Sequence, residues 1–235
     1  MPPALNSDCV LVIMAKAPRP GRVKTRLIPS LPQQAVTSFY RCLLGDTLAL
    51  VQSLAGVETA IMCPESDVDE LALVAGPGVS VVAQKGEGLA AALTSVFAHF
   101  SEGHQSRTIA FNSDSPHLPR SVLQGAFEAL VAHDLVVGPT YDGGYYLIGA
   151  NRSHPSLFTG DGMGTGSALE NLLSQARVLQ LSVGFTDPFY DIDVADDLIQ
   201  LAVELEDSPA QAPRTAVWLK EWGDVMTRLR TGTAD

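Results

Sequence analysis

Val10-Leu-Val-Ile-Met-Ala-Lys-Ala-Pro-Arg-Pro-Gly-Arg-Val-Lys-Thr-Arg26 decides the fold. Its first six residues, through Ala15, form an unbroken apolar run bounded by turn formers, the pattern of a strand buried on both faces of a parallel sheet. Directly after it come five of the chain's 15 Lys and Arg residues: Lys16, Arg19, Arg22, Lys24 and Arg26. No Asp or Glu lies between Cys9 and Gly45, although the chain has a net charge of -11. Pro18, Pro20 and Gly21 stiffen this segment as a turn, because Pro fixes φ and Gly permits φ > 0. A buried strand that opens into a basic turn focuses an anion, and the turn's backbone amides can point at the same ligand.

Outward from that strand, short runs rich in Val, Ile and Ala alternate with longer helical patterns. The alternation predicts an α/β chain with a mostly parallel central sheet flanked by helices. Strands are expected near 9–15, 57–63, 79–83, 107–113, 134–139, 144–150 and 178–184. Helices are expected near 32–54, 66–75, 88–101, 119–132, 165–177, 194–206 and 214–230. Residues 1–206 read as one domain. The Pro-rich stretch Asp207-Ser-Pro-Ala-Gln-Ala-Pro213 sets apart a final helix, within 207–235, that packs on the same domain. Trp218 and Trp222 are four apart and share one face of that helix. They pack it onto the domain or onto a second subunit, which leaves a homodimer open.

The 235 residues, 46% hydrophobic, suffice for one substantial core. The acidic balance repels nucleic acid and anionic lipid over most of the surface, so the expected partner is a small anionic molecule in one local basic pocket. Cys9, Cys42 and Cys63 are odd in number and lack C-x-x-C spacing, which points to inert core thiols in a reducing compartment. With no apolar stretch near the roughly 20 residues that span a bilayer, and a start unlike a signal peptide, the expected location is the cytoplasm.

In an open α/β sheet the ligand sits beyond the carboxyl ends of the strands. The segments expected there are the basic loop, Gln84-Lys-Gly-Glu-Gly-Leu89, Asn112-Ser-Asp-Ser-Pro-His117, Pro139-Thr-Tyr-Asp-Gly-Gly144 and Asp187-Pro-Phe-Tyr-Asp-Ile-Asp193. Asp114 can hold Mg²⁺, a hard cation that takes one or two carboxylates plus phosphate oxygens; alternatively it caps a helix or makes an Asx turn. Asp191 and Asp193, at i and i+2, project to one face and repel unless a cation lies between them. Asp193 can equally cap the helix that follows.

Four segments carry a family resemblance: Lys16-Ala-Pro-Arg-Pro-Gly-Arg-Val-Lys-Thr-Arg-Leu27, Ser113-Asp-Ser-Pro-His-Leu-Pro119, Gly138-Pro-Thr-Tyr-Asp-Gly-Gly-Tyr-Tyr-Leu-Ile-Gly149 and Asp191-Ile-Asp-Val-Ala-Asp-Asp-Leu198. Together they resemble the glycosyltransferase-A-like "transferase 1" family, associated with radical-SAM and selenodomain proteins. That family belongs to the nucleotide-diphospho-sugar transferase superfamily and is similar to the 2-phospholactate guanylyltransferases. The resemblance implies a three-layer, Rossmann-like GT-A fold. It implies a nucleotide site made by Ala15, Lys16, Gly21, Arg22, Lys24, Gln84 and Gly88, with Lys24, Arg26 and Asp114 in the chemistry. Asp114 and Asp193 would hold Mg²⁺ or Mn²⁺, and Asp142, Gly143 and Gly144 would face the acceptor, the glycines leaving room for it. The chain departs from the family at Gly86-Glu-Gly-Leu-Ala-Ala91, which lacks the usual Arg, at Asn112, and at Gly162-Met-Gly-Thr165.

Two reactions suit these residues. In one, a small phosphorylated or carboxylate acceptor takes a nucleoside monophosphate from an NTP. In the other, a hydroxyl takes a sugar from a nucleotide-diphospho-sugar, with Asp142 or His117 as base, although His117, before Leu118 and Pro119, reads equally as a turn residue. A third reading is a nucleotide-binding protein that has lost catalysis. The charge density of the basic loop favours the first, because a triphosphate carries more charge than a nucleotide-sugar.

Overall fold

The computed structural model describes residues 8–101, 107–159 and 166–231. The apolar run becomes the central strand β1 (Cys9–Met14), and its residues divide alternately between two cores. Cys9, Leu11 and Ile13 face one side of the sheet, while Val10 and Val12 face the other. That two-sided burial explains why the run shows no polar alternation.

Six more strands complete the sheet among the described residues: β2 (Val57–Cys63), β3 (Ser80–Ala83), β4 (Arg107–Asn112), β5 (Leu135–Pro139), β6 (Tyr145–Ala150) and β7 (Val183–Phe185). Their order is β3-β2-β1-β4-β6-β5-β7. β1 to β4 are mutually parallel and β7 is parallel to β5, whereas β6 runs antiparallel to both β4 and β5. The sheet is thus mostly parallel, with one reversed strand. No crossover helix joins β5 to β6, because Thr140–Gly144 makes a tight turn between them, with Thr140 N–H donating to Gly144 O at 3.0 Å.

Helices α1 (Gln33–Gln52), α2 (Val68–Ala75) and α3 (Gly88–Ser101) follow the first three strands. α4 (Arg120–Ala129), α5 (Ala168–Val178) and α6 (Ala195–Asp207) follow β4, β6 and β7. Phe39 and Leu43 of α1, Phe127 of α4 and Leu201 of α6 cover one face; Phe97 of α3 and Leu172 of α5 cover the other. Among the described residues, no helix is long and apolar enough to cross a membrane.

Two expected elements differ. The last strand, expected over 178–184, is Val183–Phe185, because α5 runs on to Val178 and the chain then turns through Gln180 at φ 56. The final helix, expected over 214–230, is two helices, α7 (Pro213–Glu221) and α8 (Gly223–Thr231), broken at Trp222. Asp46, 2% exposed, accepts the backbone N–H groups of Arg214 at 3.2 Å and Thr215 at 2.8 Å, which tethers the start of α7 to α1. Trp218 donates its indole N–H to Ser38 Oγ at 2.8 Å and stacks on Trp222 at 5.3 Å. Both tryptophans therefore share a face, and Trp218 spends it on this chain's own α1.

Candidate functional site

Because every strand but β6 points the same way, the carboxyl ends of β1, β2, β3 and β4 lie along one edge and open into a cleft of about 1070 Å³. Ala15, Lys16, Gly21, Arg22, Lys24, Arg26, Gln84, Gly88, Asp114 and Asp193 all line it. Arg26 and Asp193, 167 positions apart in sequence, are thereby brought to one surface.

The basic loop is anchored before any ligand arrives. Asp67, in the 3-10 turn after β2 and 7% exposed, accepts the backbone N–H of Ala17 at 2.9 Å and the Arg19 guanidinium at 2.9 Å. Arg19 also donates to Glu70 and to the Ser66 carbonyl, both at 2.9 Å. Arg19 is thus a structural strap, with one N–H on each of its three nitrogens already engaged. Lys16 N–H donates to the buried Tyr40 hydroxyl at 3.2 Å, which bonds Ser113 Oγ at 3.0 Å, and Ser113 reaches Asp114 Oδ1 at 3.2 Å. This chain of hydrogen bonds ties the basic loop to the first carboxylate. Burial pushes the Tyr40 phenol far above its usual range, so it stays neutral. Among the described residues, the exposed Lys16 and Arg22 side chains pair with no carboxylate, which leaves them for a ligand.

Lys24 does the opposite. Its backbone is left-handed, φ 47 and ψ 42, and its side chain is 5% exposed. The ammonium sits 2.8 Å from Asp114 Oδ2 and 3.8 Å from Asp193 Oδ1. Arg26, far more exposed, bonds Asp193 Oδ2 at 2.6 Å, and that bond raises the guanidinium's already high pKa. Asp193 is no helix cap: Asp197 takes that part, its carboxylate accepting the backbone N–H groups of Asp193 at 2.9 Å and Val194 at 2.8 Å. Asp114 is held by its backbone, its carbonyl accepting Ile192 N–H at 3.2 Å. The two carboxylate turns are therefore stitched together. Burial raises the Asp191 carboxyl pKa, Asp114 adds to the effect, and Lys24 opposes it.

On the far wall, Gln84 turns its amide back onto the Gly86 carbonyl at 2.9 Å, and Gly88, at φ 82, starts α3. Asp142 to Gly144 stand outside the cleft lining. The expected reason for the glycine pair needs correction. A Cβ on Gly143, at φ 88, would collide with Gly166 O, and one on Gly144 would fall 2.8 Å from Thr140 Oγ1, so the glycines make room for the protein itself. Asp142 accepts Thr140 Oγ1–H at 2.5 Å and Gly144 N–H at 3.1 Å, which holds its carboxyl below the usual range, firstly through the Thr140 bond. Tyr145 and Tyr146 also lie outside the lining: Tyr146 bonds Thr186 and packs under Gly138, so neither ring is offered to a base in the cleft.

His117 is excluded from the cleft as well. It is 2% exposed, packed 4.8 Å from Phe189 and 4.9 Å from Tyr190, with Glu204 at 3.7 Å. Burial lowers its pKa from 6.5 to about 4. Between those values the unfolded chain binds more protons than the folded one, so stability is complete above about pH 6.5 and declines as pH falls toward 4. Urea unfolding at pH 7 and pH 4.5 should show this loss, and His117→Leu should flatten it. An identical pH profile in the variant would assign the loss to other groups.

Sequence reading passed over Asp67, Glu70 and Tyr40. Two strand ends, those of β2 and β6, carry no expected site segment, and the first of them, Pro64-Glu-Ser-Asp67, offers two carboxylates to a basic loop. Tyr40 left only the signal of a polar tip within an otherwise apolar helix face. The expected family element at Gly162–Thr165 lies outside the described residues.

A family model described as "Uncharacterized protein conserved in bacteria (DUF2064)" matches residues 47–165. None of the curated proteins is a significant sequence match. A crystal structure from Desulfovibrio desulfuricans G20, provisionally described as a nucleotide-diphospho-sugar transferase, superposes with TM-score 0.87 at 26% identity, covering 96% of this chain and 99% of that one. The 4-diphosphocytidyl-2C-methyl-D-erythritol synthase of Anaerococcus prevotii DSM 20548 gives 0.58 at 11% identity, covering 84% and 96%. A cytidylyltransferase of Leptospira borgpetersenii gives 0.54 at 13%, covering 97% and 99%. The fold is that of the nucleotide-diphospho-sugar transferase superfamily, as the sequence resemblance implied.

Proposed function

Because the chain belongs to the DUF2064 family and has the nucleotide-diphospho-sugar transferase fold, we propose that it is a nucleotidyltransferase, dependent on Mg²⁺ or Mn²⁺. It moves a nucleoside monophosphate from an NTP to a small phosphorylated or carboxylate acceptor. The observation that carries this reading is one cleft with two kinds of cation: Lys16 and Arg22, which pair with no carboxylate among the described residues, and Lys24, lodged between Asp114 and Asp193.

The residues divide the work by charge. An acceptor oxygen attacks the α-phosphorus, a new O–P bond forms, and the bond to the β-phosphate oxygen breaks with pyrophosphate leaving. Lys16, Arg22 and Lys24 bind and orient the triphosphate and the departing pyrophosphate, and pre-placed charge of this kind lowers the barrier without reorganisation. Arg26, bonded to Asp193 Oδ2 at 2.6 Å on the exposed part of the cleft lining, is the cation available to an acceptor anion. Tyr40 and Ser113 keep the basic loop in register with Asp114.

Asp114 and Asp193 fit a divalent metal, because both already converge on one positive charge, the Lys24 ammonium. Among the described residues no three His, Cys, Asp or Glu side chains gather into a complete ligand set, which suits a metal that takes its remaining oxygens from phosphate and water. When bound, such a metal supplies neutralisation of charge on the transferring phosphates.

Glycosyl transfer from a nucleotide-sugar is the reading to be excluded, and the burial of His117 removes one of its two candidate bases. Thermal melts with ATP, GTP, CTP and UTP, each with Mg²⁺, should give one NTP that raises Tm by several degrees, since ligand at 100 times Kd adds about 2.7 kcal/mol. Pyrophosphate release with small acids and phosphates then identifies the acceptor. A shift by a nucleotide-sugar and by no NTP would transfer the proposal to glycosyl transfer. Binding of an NTP with no turnover on any acceptor would favour a protein that has lost catalysis.

A further inference from the structure

We infer that Lys24 is an internal cation that keeps the Asp114 and Asp193 carboxylates closed to divalent metal until nucleotide phosphates draw its ammonium away, so that metal and nucleotide bind together rather than metal first. The inference rests on the nucleotide-binding reading and adds an order of events to it.

Three observations support it. The ammonium lies 2.8 Å from Asp114 Oδ2 and 3.8 Å from Asp193 Oδ1, so it stands between the two carboxylates, whereas Arg26 reaches only the outer oxygen of Asp193, at 2.6 Å. The Lys24 side chain is 5% exposed, in contrast to Lys16 and Arg22 on the same loop. Its backbone adopts φ 47 and ψ 42, a left-handed conformation that is strained for a non-glycine residue and persists only where its surroundings enforce it. The turn enforces it here: Lys24 O accepts Leu27 N–H at 2.9 Å, and Leu27 is fully buried. A flanking lysine with no such constraint would point outward, as Lys16 does.

The electrostatics then force a choice. Like charges at this separation repel, and a divalent ion doubles the repulsion that a single charge would feel. A metal therefore binds this pair well only after the ammonium has moved. Lysine suits such a move, because its charge rides on a flexible four-carbon stem and needs no fixed donor geometry. Triphosphate oxygens held by Lys16 and Arg22 would give it a new partner, leaving Asp114 and Asp193 to hold a metal that would neutralise phosphate charge. By linkage, each ligand then strengthens the other.

Mn²⁺ titration of the nucleotide-free full chain, followed by electron paramagnetic resonance of the free ion, tests this without any turnover. Lys24→Met should bind Mn²⁺ at least about tenfold more tightly than wild type, Lys24→Arg should stay weak, and Lys16→Met and Arg22→Met should change affinity by less than about threefold. Lys24→Gln replaces the Met variant if circular dichroism shows that the latter is unfolded. Equal or weaker Mn²⁺ binding after neutralising Lys24 overturns the inference, and so does an equal gain in the Lys16 and Arg22 variants, which would mean a diffuse effect of net charge. Failure of every NTP to bind is a separate outcome, read in the melts, and would remove the nucleotide reading while leaving the metal titration intact.

Discussion

Asp114→Asn should lower kcat/KM for nucleotidyl transfer by at least about a thousandfold, a loss near 4 kcal/mol of transition-state stabilisation. The substitution is isosteric, and the backbone bonds that hold residue 114, from Ile192 N–H at 3.2 Å and to Asn112 Oδ1 at 3.4 Å, do not depend on its charge. An amide oxygen can still accept from Ser113 Oγ. What disappears is the negative charge opposite Lys24 and one of the two carboxylates available to a metal. The fold should survive with a much smaller penalty than the activity, because Asp193 remains 3.8 Å from the Lys24 ammonium. The two effects separate in one experiment. In wild type, adding Mg²⁺ should increase the melting shift given by the preferred NTP; in Asp114→Asn the Mg²⁺-dependent part should vanish. Retention of that part would remove Asp114 from the metal role, whatever happened to turnover.

How much of this site was legible in the sequence follows from the kind of information each part carries. The β1 run and its basic loop were legible because two-sided burial and local charge are written in consecutive residues. Asp114 and Asp193 were legible as carboxylates at strand ends, but their meeting on one ammonium is a consequence of strand order, with β1 beside β4, which no local pattern encodes. The alternative that Asp193 caps α6 looked equally good in sequence; the structure gives that part to Asp197, four residues on, because only its side chain reaches back to the helix start. Arg19 is indistinguishable in sequence from Arg22, yet one is a strap and the other meets no carboxylate among the described residues, and the difference lies in Asp67, Glu70 and the Ser66 carbonyl that follow another strand. The reversed strand β6 escaped notice because an antiparallel pair buried on both faces looks the same as a parallel one. The glycines at 143 and 144 were rightly seen as sites that exclude a side chain, but the excluding neighbour is Gly166 and Thr140.

Asp67 provides the second large effect, and it acts through the loop rather than through the chemistry. Asp67→Ala should destabilise the protein by about 3 kcal/mol and weaken NTP binding between about tenfold and a hundredfold. The stability loss follows from stranding Ala17 N–H, a buried donor whose desolvation costs about 1–3 kcal/mol, together with losing a charge-assisted bond to Arg19. The binding loss follows because Ala17 lies between Lys16 and the Pro18–Arg22 turn, so its anchor sets the positions of the cations on either side. A freed loop pays the ordering entropy when the nucleotide arrives, and affinity falls by that amount. Glu70→Gln is the comparison. It too touches Arg19, but at a more exposed carboxylate, where an ion pair contributes 1 kcal/mol or less. Urea unfolding and NTP titration on both variants decide the matter. If Glu70→Gln matches Asp67→Ala in both measurements, the Arg19 ion pairs and not the Ala17 amide bond hold the loop; if Asp67→Ala unfolds more easily yet binds NTP as wild type does, the loop is ordered by something other than its tie to β2, and preorganisation of the basic turn is no part of how this cleft recognises phosphate.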